Sequence, residues 1–297
     1  MSAGPLPSAN PAARRAQGSP VHAAAKNESL RVAVITGAAS GIGAGLAREA
    51  ARRGMQVVLA DRDAQRLAEV AAAIGSAALA LPTDVADPAA LEALAARVYA
   101  THGQVDLLFN NAGLMATGFS WEIPADRWQQ LLAVNVGGVV NGLRAFVPRL
   151  VAAGRPARIV NTSSVGGFLP SPLMAPYSAT KFAVVALTEA LAGELQMLRS
   201  PVAVSLLAPG PVKSDIFRDP PPPAATQFVG HMVELIEANG IEPDEFALRV
   251  FDAIDRGQYW IIPQPEAFDE GFRARNEAIA ARRAPAFFGV DGGVGAR

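Results

Sequence analysis

From Leu30 to Ile262 the chain alternates short, nearly unbroken apolar runs with longer stretches in which apolar residues return every three or four positions. The short runs, bounded by turn formers, read as strands buried on both faces, and the helical period reads as amphipathic helix. Strands are therefore expected at Leu30–Ile35, Gln56–Ala60, Ala77–Leu81, Val105–Phe109, Ala157–Val160, Val202–Leu207 and Tyr259–Ile262. Helices are expected at Ala44–Arg53, Ala64–Ile74, Ala89–Tyr99, Pro176–Leu198, Phe228–Ala238 and Asp244–Arg256. Ala125–Ala153 reads as one long helical region, interrupted at the Gly137-Gly138 pair and at Pro148. Asp87 and Pro88 supply a cap and a first-turn residue ahead of Ala89. The proline row Pro220–Pro223 argues against regular structure over 215–226.

Strand and helix in alternation argue a parallel, doubly wound α/β sheet with helices on both faces. In such sheets ligands bind outside the carboxyl ends of the strands. Gly37–Gly43, Asp61, Asp84, Asn111 and Ser164 all fall at expected strand ends, a convergence that packing does not require.

Composition narrows the chemistry. At 297 residues and 51% hydrophobic, the chain can fill the core of one large α/β domain. A net charge of -1 without a long basic run argues against a nucleic-acid surface. There is no cysteine, which excludes disulfides, thiol nucleophiles and thiolate metal sites. His22, His102 and His231 are scattered and form no zinc-binding spacing, so no metal is expected. No uninterrupted apolar run reaches the roughly 18 residues of a membrane span, so no membrane partner is expected. Residues 1–28 are rich in Ala, Pro and Ser, without the apolar core of a signal peptide, and are expected to form a disordered tail. Any acid/base chemistry thus falls to Tyr, Lys, Ser, Asp or Glu.

The stretch Asn161–Lys181 carries the richest set of such groups. Tyr177 and Lys181 stand at i and i+4, which puts both on one helix face about a turn apart. An unaided phenol holds its proton to about pH 10, and a nearby ammonium favours the phenolate. Ser164, at a strand exit, can bond the same substrate oxygen that Tyr177 protonates. Upstream, the turn containing Gly37, Ser40, Gly41, Ile42 and Gly43 lies between the first strand and the first helix. Backbone N–H groups and a helix N-terminus there can receive a pyrophosphate. Asp61 ends the second strand, where a carboxylate can accept bonds from ribose hydroxyls and repel the extra phosphate of NADP. Arg62 beside it could instead meet that phosphate, and Asp61 could also serve as a helix cap. Asn135, amid Val134, Val136 and Val139, reads either as a buried amide serving a neighbouring backbone or as a catalytic group.

These residues resemble the short-chain dehydrogenase/reductase family. Thr36-Gly-x-x-x-Gly-x-Gly43, Asn110-Asn-Ala-Gly113, Ser164, Tyr177-x-x-x-Lys181 and Pro209-Gly-x-Val212 occur in the family's order and spacing, over roughly residues 30 to 263. The resemblance implies a single Rossmann-type domain over 29–265, with a substrate lid at about 214–240 and a C-terminal extension at 266–297. It implies Tyr177 as general acid/base and Lys181 as the residue that binds the nicotinamide ribose and lowers the Tyr177 pKa. Ser164 would orient the substrate oxygen and Asn135 would hold a water. Asp84 and Val85 would meet the adenine, and Asn111, with Ala112 and Gly113, the adenosine side. Pro209, Gly210, Val212 and Ser214 would line the nicotinamide end.

The cofactor expected is NAD, favoured over NADP by Asp61 and by Ser40, where users of NADP often carry a basic residue. The substrate expected is a hydrophobic secondary alcohol or its ketone. The apolar residues Ile216, Phe217, Phe228, Val229, Met232 and Leu235 beyond Ser214, with Leu114, Met115, Phe168, Leu169 and Met174 on facing loops, would line its pocket. Segments at Asn141–Pro148, Gly166–Phe168 and Trp260–Pro263 are similar to bacterial members that oxidise bulky secondary alcohols, Cα-dehydrogenases of lignin-derived aryl ethers among them. The resemblance further implies a cytoplasmic homodimer or homotetramer. A non-catalytic dinucleotide-binding regulator and an epimerase or dehydratase are the competing readings.

Overall fold

The computed structural model describes residues 30–285 and Phe287, so the expected tail at 1–28 and the end of the C-terminal extension lie outside the described residues. Each apolar run becomes one strand of a single sheet: β1 (Val32–Thr36), β2 (Gln56–Asp61), β3 (Ala78–Pro82), β4 (Leu107–Asn110), β5 (Ala157–Thr162), β6 (Val202–Leu207) and β7 (Trp260–Ile261). The order is β3-β2-β1-β4-β5-β6-β7, and every pairing is parallel. The strand order reverses between β1 and β4, which opens a crevice at their carboxyl ends.

Alternation along the strands divides the core between two faces. Ala33 and Ile35 of β1, with Val57 and Leu59 of β2, pack against α1 (Gly41–Arg52) and α8 (Pro243–Asp255), where Leu46, Ala50, Phe246 and Val250 meet them. Val34, Val58, Leu108 and Ile159 point the other way, toward α3 (Pro88–His102), α5 (Gly138–Ala153) and α6 (Ala175–Met197). Phe109, Phe146 and Phe246 are fully buried, and each such side chain contributes about 1.5–3 kcal/mol relative to exposure. Helices α2 (Ala64–Ile74), α4 (Ala125–Leu131), α7 (Thr226–Asn239) and α9 (Pro265–Ala280) complete the described residues.

Several boundaries differ from those expected, each for a local reason. α1 begins at Gly41, three residues before Ala44, because the glycine turn runs directly into the helix. Asp87 caps α3 by accepting from Ala89 N at 2.8 Å, with Pro88 in the first turn as expected. The region Ala125–Ala153 is not interrupted: a π-helical turn at Leu132–Gly137 runs through Gly137 into α5, which starts at Gly138, and Pro148 sits inside α5. The continuous helical region Ala125–Ala153 is long and apolar enough to cross a membrane by length and composition alone. Its Val139, Ala145, Phe146 and Leu150 are buried in the fold. Segment 215–226 is not wholly irregular, since one-turn 3-10 helices form at Asp215–Phe217 and Pro223–Ala225. Proline lacks only an N–H that a first helical turn leaves unpaired anyway. α9 was not expected.

Candidate active site

The site begins where β1 and β4 end side by side. The Thr36 hydroxyl accepts from Asn111 N at 2.9 Å and from Ala112 N at 3.1 Å, while donating to Phe109 O at 3.2 Å. Asn111 Nδ2 in turn donates to Thr36 O at 3.0 Å. These bonds close the Asn110–Gly113 turn against the glycine turn. Gly37 adopts a φ of 69°, and a side chain at Gly43 would lie 2.0 Å from the Gly37 carbonyl. Only glycine permits so tight a curl ahead of the α1 N-terminus.

Asp61 sits at the end of β2. Its carboxylate accepts from Ala39 N at 3.2 Å and Asp63 N at 3.0 Å, so it braces the glycine turn. It is not the cap of the next helix; Asp63 is, accepting from Arg66 N at 3.1 Å. Asp84 turns the chain after β3 by accepting from Ala86 N at 2.9 Å, and Val85 O accepts from Asn141 Nδ2 at 2.9 Å. The anionic rim at Asp61, the narrow glycine cradle and the open α1 N-terminus fit a dinucleotide.

Ser164 follows β5. Its Oγ accepts from Gly166 N at 3.1 Å and donates to Pro209 O at 3.5 Å. Tyr177 and Lys181 project from the start of α6. Lys181 is only 4% exposed, and its ammonium donates to Thr162 O at 3.0 Å. Burial lowers its pKa from 10.5 to about 8. Burial also raises the Tyr177 pKa, against a smaller lowering by the hydrogen bond with Ser164. Lys181 Nζ lies 5.7 Å from the Tyr177 ring centroid while donating to Thr162 O.

One cavity of about 1110 Å³ joins these groups. It is lined by the sequence-derived residues Gly37, Ser40, Gly41, Ile42, Gly43, Asp61, Arg62, Asp84, Val85, Asn111, Ala112 and Gly113, and equally by Ser164, Tyr177, Lys181, Pro209, Gly210, Val212 and Ser214. Asn135 is not on its wall. It is buried in the π-helical turn, where Oδ1 accepts from Leu114 N at 2.7 Å. Its Nδ2 donates to Leu114 O at 2.9 Å and Thr180 Oγ1 at 3.0 Å. With both amide hydrogens committed, the side chain fixes the chain at Leu114 beyond β4.

Of the apolar residues expected in the pocket, Leu114, Met115, Leu169, Met174, Ile216, Phe217, Met232 and Leu235 line the cavity. Phe168, Phe228 and Val229 do not. Phe168 packs instead on Trp260 and Phe272, with ring centroids 5.8 and 5.2 Å away. The segment after Ser214 is tied at both sides, by Arg66–Asp215 at 2.8 Å and Arg127–Asp219 at 2.6 Å. Such exposed pairs contribute little individually.

Sequence reasoning missed Gln264 and Phe268, which line the cavity from the residue ahead of α9 and from its first turn. The available signal was Phe268 and Phe272, four apart in a stretch otherwise too polar to read as a core helix. It also missed the Thr36 hydroxyl as the clasp between β1 and β4.

Comparison with known proteins agrees with this architecture. A family model described as short chain dehydrogenase matches residues 31–222, and the chain belongs to the short-chain dehydrogenase/reductase family. It is thus an oxidoreductase on a Rossmann-type fold, from a family that binds NAD or NADP. It is similar to the C alpha-dehydrogenase of Sphingobium sp. strain SYK-6, 34% identical over 86% of this chain and 87% of that one. The 1-deoxy-11-beta-hydroxypentalenate dehydrogenase of Streptomyces avermitilis is 35% identical over 79% of this chain and 85% of its own. Among solved structures, a short-chain dehydrogenase/reductase from Burkholderia phymatum in complex with NAD superposes with a TM-score of 0.81. It is 36% identical, over 87% of this chain and 97% of that chain.

Proposed function

We propose that this protein interconverts a hydrophobic secondary alcohol and its ketone, with NAD as the preferred cofactor. The observation that carries the reading is one cavity in which Ser164, Tyr177 and Lys181 meet an apolar wall of Leu114, Met115, Leu169, Met174 and Phe217. The glycine turn, Asp61, Asp84 and Val85 would hold the adenosine and pyrophosphate, and Val212 with Ser214 the nicotinamide, which supplies the hydride acceptor or donor. Tyr177 takes the hydroxyl proton in oxidation and returns one in reduction. Ser164, already oriented by Gly166 N, bonds the same oxygen and polarises it. Lys181 holds a positive charge beneath that pair when protonated, and Asn135 keeps the Leu114 exit in place. The exposed Met197 and Leu198 at the end of α6 are consistent with a homodimer or homotetramer.

The substrate test compares kcat/KM for 1-phenylethanol, a decalin-type alcohol and glucose under one condition. Aryl or alicyclic alcohols are expected to win by well over about tenfold. Each sugar hydroxyl left without a partner on the apolar wall costs roughly 1–3 kcal/mol. A clear win for glucose would end this assignment, and failure to turn over any alcohol more than once per protein would return the field to a regulator or an epimerase.

For the cofactor, the wild type is expected to have the higher kcat/KM with NAD. Asp61→Ala should cost about tenfold or more with NAD, because it removes charge-assisted bonds to both ribose and glycine turn. With NADP the loss should be smaller, since repulsion of the extra phosphate disappears too. A wild type that prefers NADP refutes the preference.

A further inference from the structure

We infer that Gln264, ahead of α9, is a positioning residue for the nicotinamide end of the dinucleotide site, acting through the Pro209–Pro211 loop. The ladder between β6 and β7 stops at Ala208 N–Ile261 O, 2.9 Å, because β7 is only two residues long. Beyond it the loop Pro209-Gly210-Pro211 has a single backbone donor, the Gly210 N–H, since proline has none. The Gln264 amide meets that loop as another strand would. Its Oε1 accepts from Gly210 N at 3.0 Å, and its Nε2 donates to Pro211 O at 2.8 Å. Pro211 O also accepts from Ile241 N at 3.3 Å.

The amide is committed to this task. Gln264 is only 5% exposed, among the few buried polar side chains of the described residues. Arg249 Nη1 holds the preceding carbonyl, Pro263 O, at 3.0 Å. Gly210 lies so close that a side chain there would sit 2.4 Å from the Phe268 ring and 2.6 Å from Gln264 Oε1. On its other flank the loop is tied to the Ser164 turn, because Pro209 O accepts from Val165 N at 3.0 Å and from Ser164 Oγ at 3.5 Å. Gln264 therefore braces the segment that faces Ser164 and leads into Val212 and Ser214.

Asp61 marks the opposite end of the cavity from this loop. Hydride exchange with a carbon bonded to the oxygen at Tyr177 requires the nicotinamide at the Ser164 end. The inference rests on that orientation, which belongs to the reading proposed above. It follows that loss of the Gln264 brace should weaken the nicotinamide half of binding and spare the adenosine half.

The experiment uses the full chain and calorimetric titration with NAD and with ADP-ribose, which lacks the nicotinamide, alongside thermal unfolding and steady-state kinetics. Gln264→Leu leaves a buried N–H and a carbonyl short of a partner and is expected to raise the Kd for NAD about tenfold or more. The Kd for ADP-ribose should stay within about twofold, as expected for a site distant from the change. In turnover the loss should appear in the KM for NAD, with kcat largely recovered at saturation. Gln264→Glu keeps the volume but sets an oxygen against Pro211 O, and should show the same selectivity if the leucine variant fails to fold. Equal losses for NAD and ADP-ribose, or a lower Tm with both affinities unchanged, would overturn the inference. A wild type that binds NAD yet turns over no alcohol would remove the alcohol reading while the two affinities still judge the brace.

Discussion

Tyr177→Phe is expected to lower turnover by about 10²–10⁴-fold, the usual contribution of a general acid–base group. The ring keeps its place at the start of α6 and loses only the hydroxyl, so NAD affinity should remain within about threefold, the pattern of an interaction made in the transition state. The pH dependence supplies a second readout. Burial holds the phenol proton above its ordinary range in the free protein. Alcohol oxidation needs the deprotonated form and should rise toward alkaline pH; ketone reduction needs the proton and should fall over the same range. The variant should lose that limb of the profile in both directions. Near-wild-type kcat in Tyr177→Phe would remove the phenol from the mechanism.

Lys181→Met should abolish most activity and yet make the dinucleotide-free protein more stable at neutral pH. The ammonium is buried with one backbone carbonyl, Thr162 O, as its hydrogen-bond partner at 3.0 Å, and burial brings its pKa from 10.5 to about 8. That lowering corresponds to a folding penalty of roughly 3 kcal/mol. Its sign is definite. Between about pH 8 and 10.5 the unfolded chain binds the proton and the folded one does not, so wild-type stability rises with pH across that window. The penalty is fully present below pH 8 and gone above 10.5. Methionine fills similar volume without charge but leaves Thr162 O unpaired, which offsets part of the gain. A net increase of about 1 kcal/mol at pH 7 is expected, shrinking or reversing by pH 10. Denaturant unfolding of both proteins at the two pH values measures it. A variant less stable than wild type at pH 7, with a gap that does not change with pH, would show that the buried ammonium is not under strain.

The sequence was sufficient for the order of elements and for the class of chemistry. Strands buried on both faces are apolar along nearly their whole length, so β1, β2 and β6 announce themselves. Chemistry that depends on backbone conformation is equally legible, because only glycine can make the curl at Gly37 and Gly43. Tyr177 and Lys181 were readable as a pair since helical spacing alone puts them on one face.

Tertiary structure alone decided what contacts between distant segments decide. Helical spacing brings Lys181 near Tyr177 but does not say that its ammonium turns to Thr162 O, nineteen residues back on β5. The Asn135 pattern left a positioning role and a catalytic one open, and its bonds to Leu114 and Thr180 favour the first. α9 and Gln264 were invisible because their stability comes from partners outside their own stretch: Phe168 for Phe272, and Gly210 and Pro211 for Gln264. A helix held by a few such long-range contacts carries too little periodicity to be seen from its own sequence. Local propensity is written along the chain, whereas the partner of a buried polar group is set by which strand ends the sheet brings together.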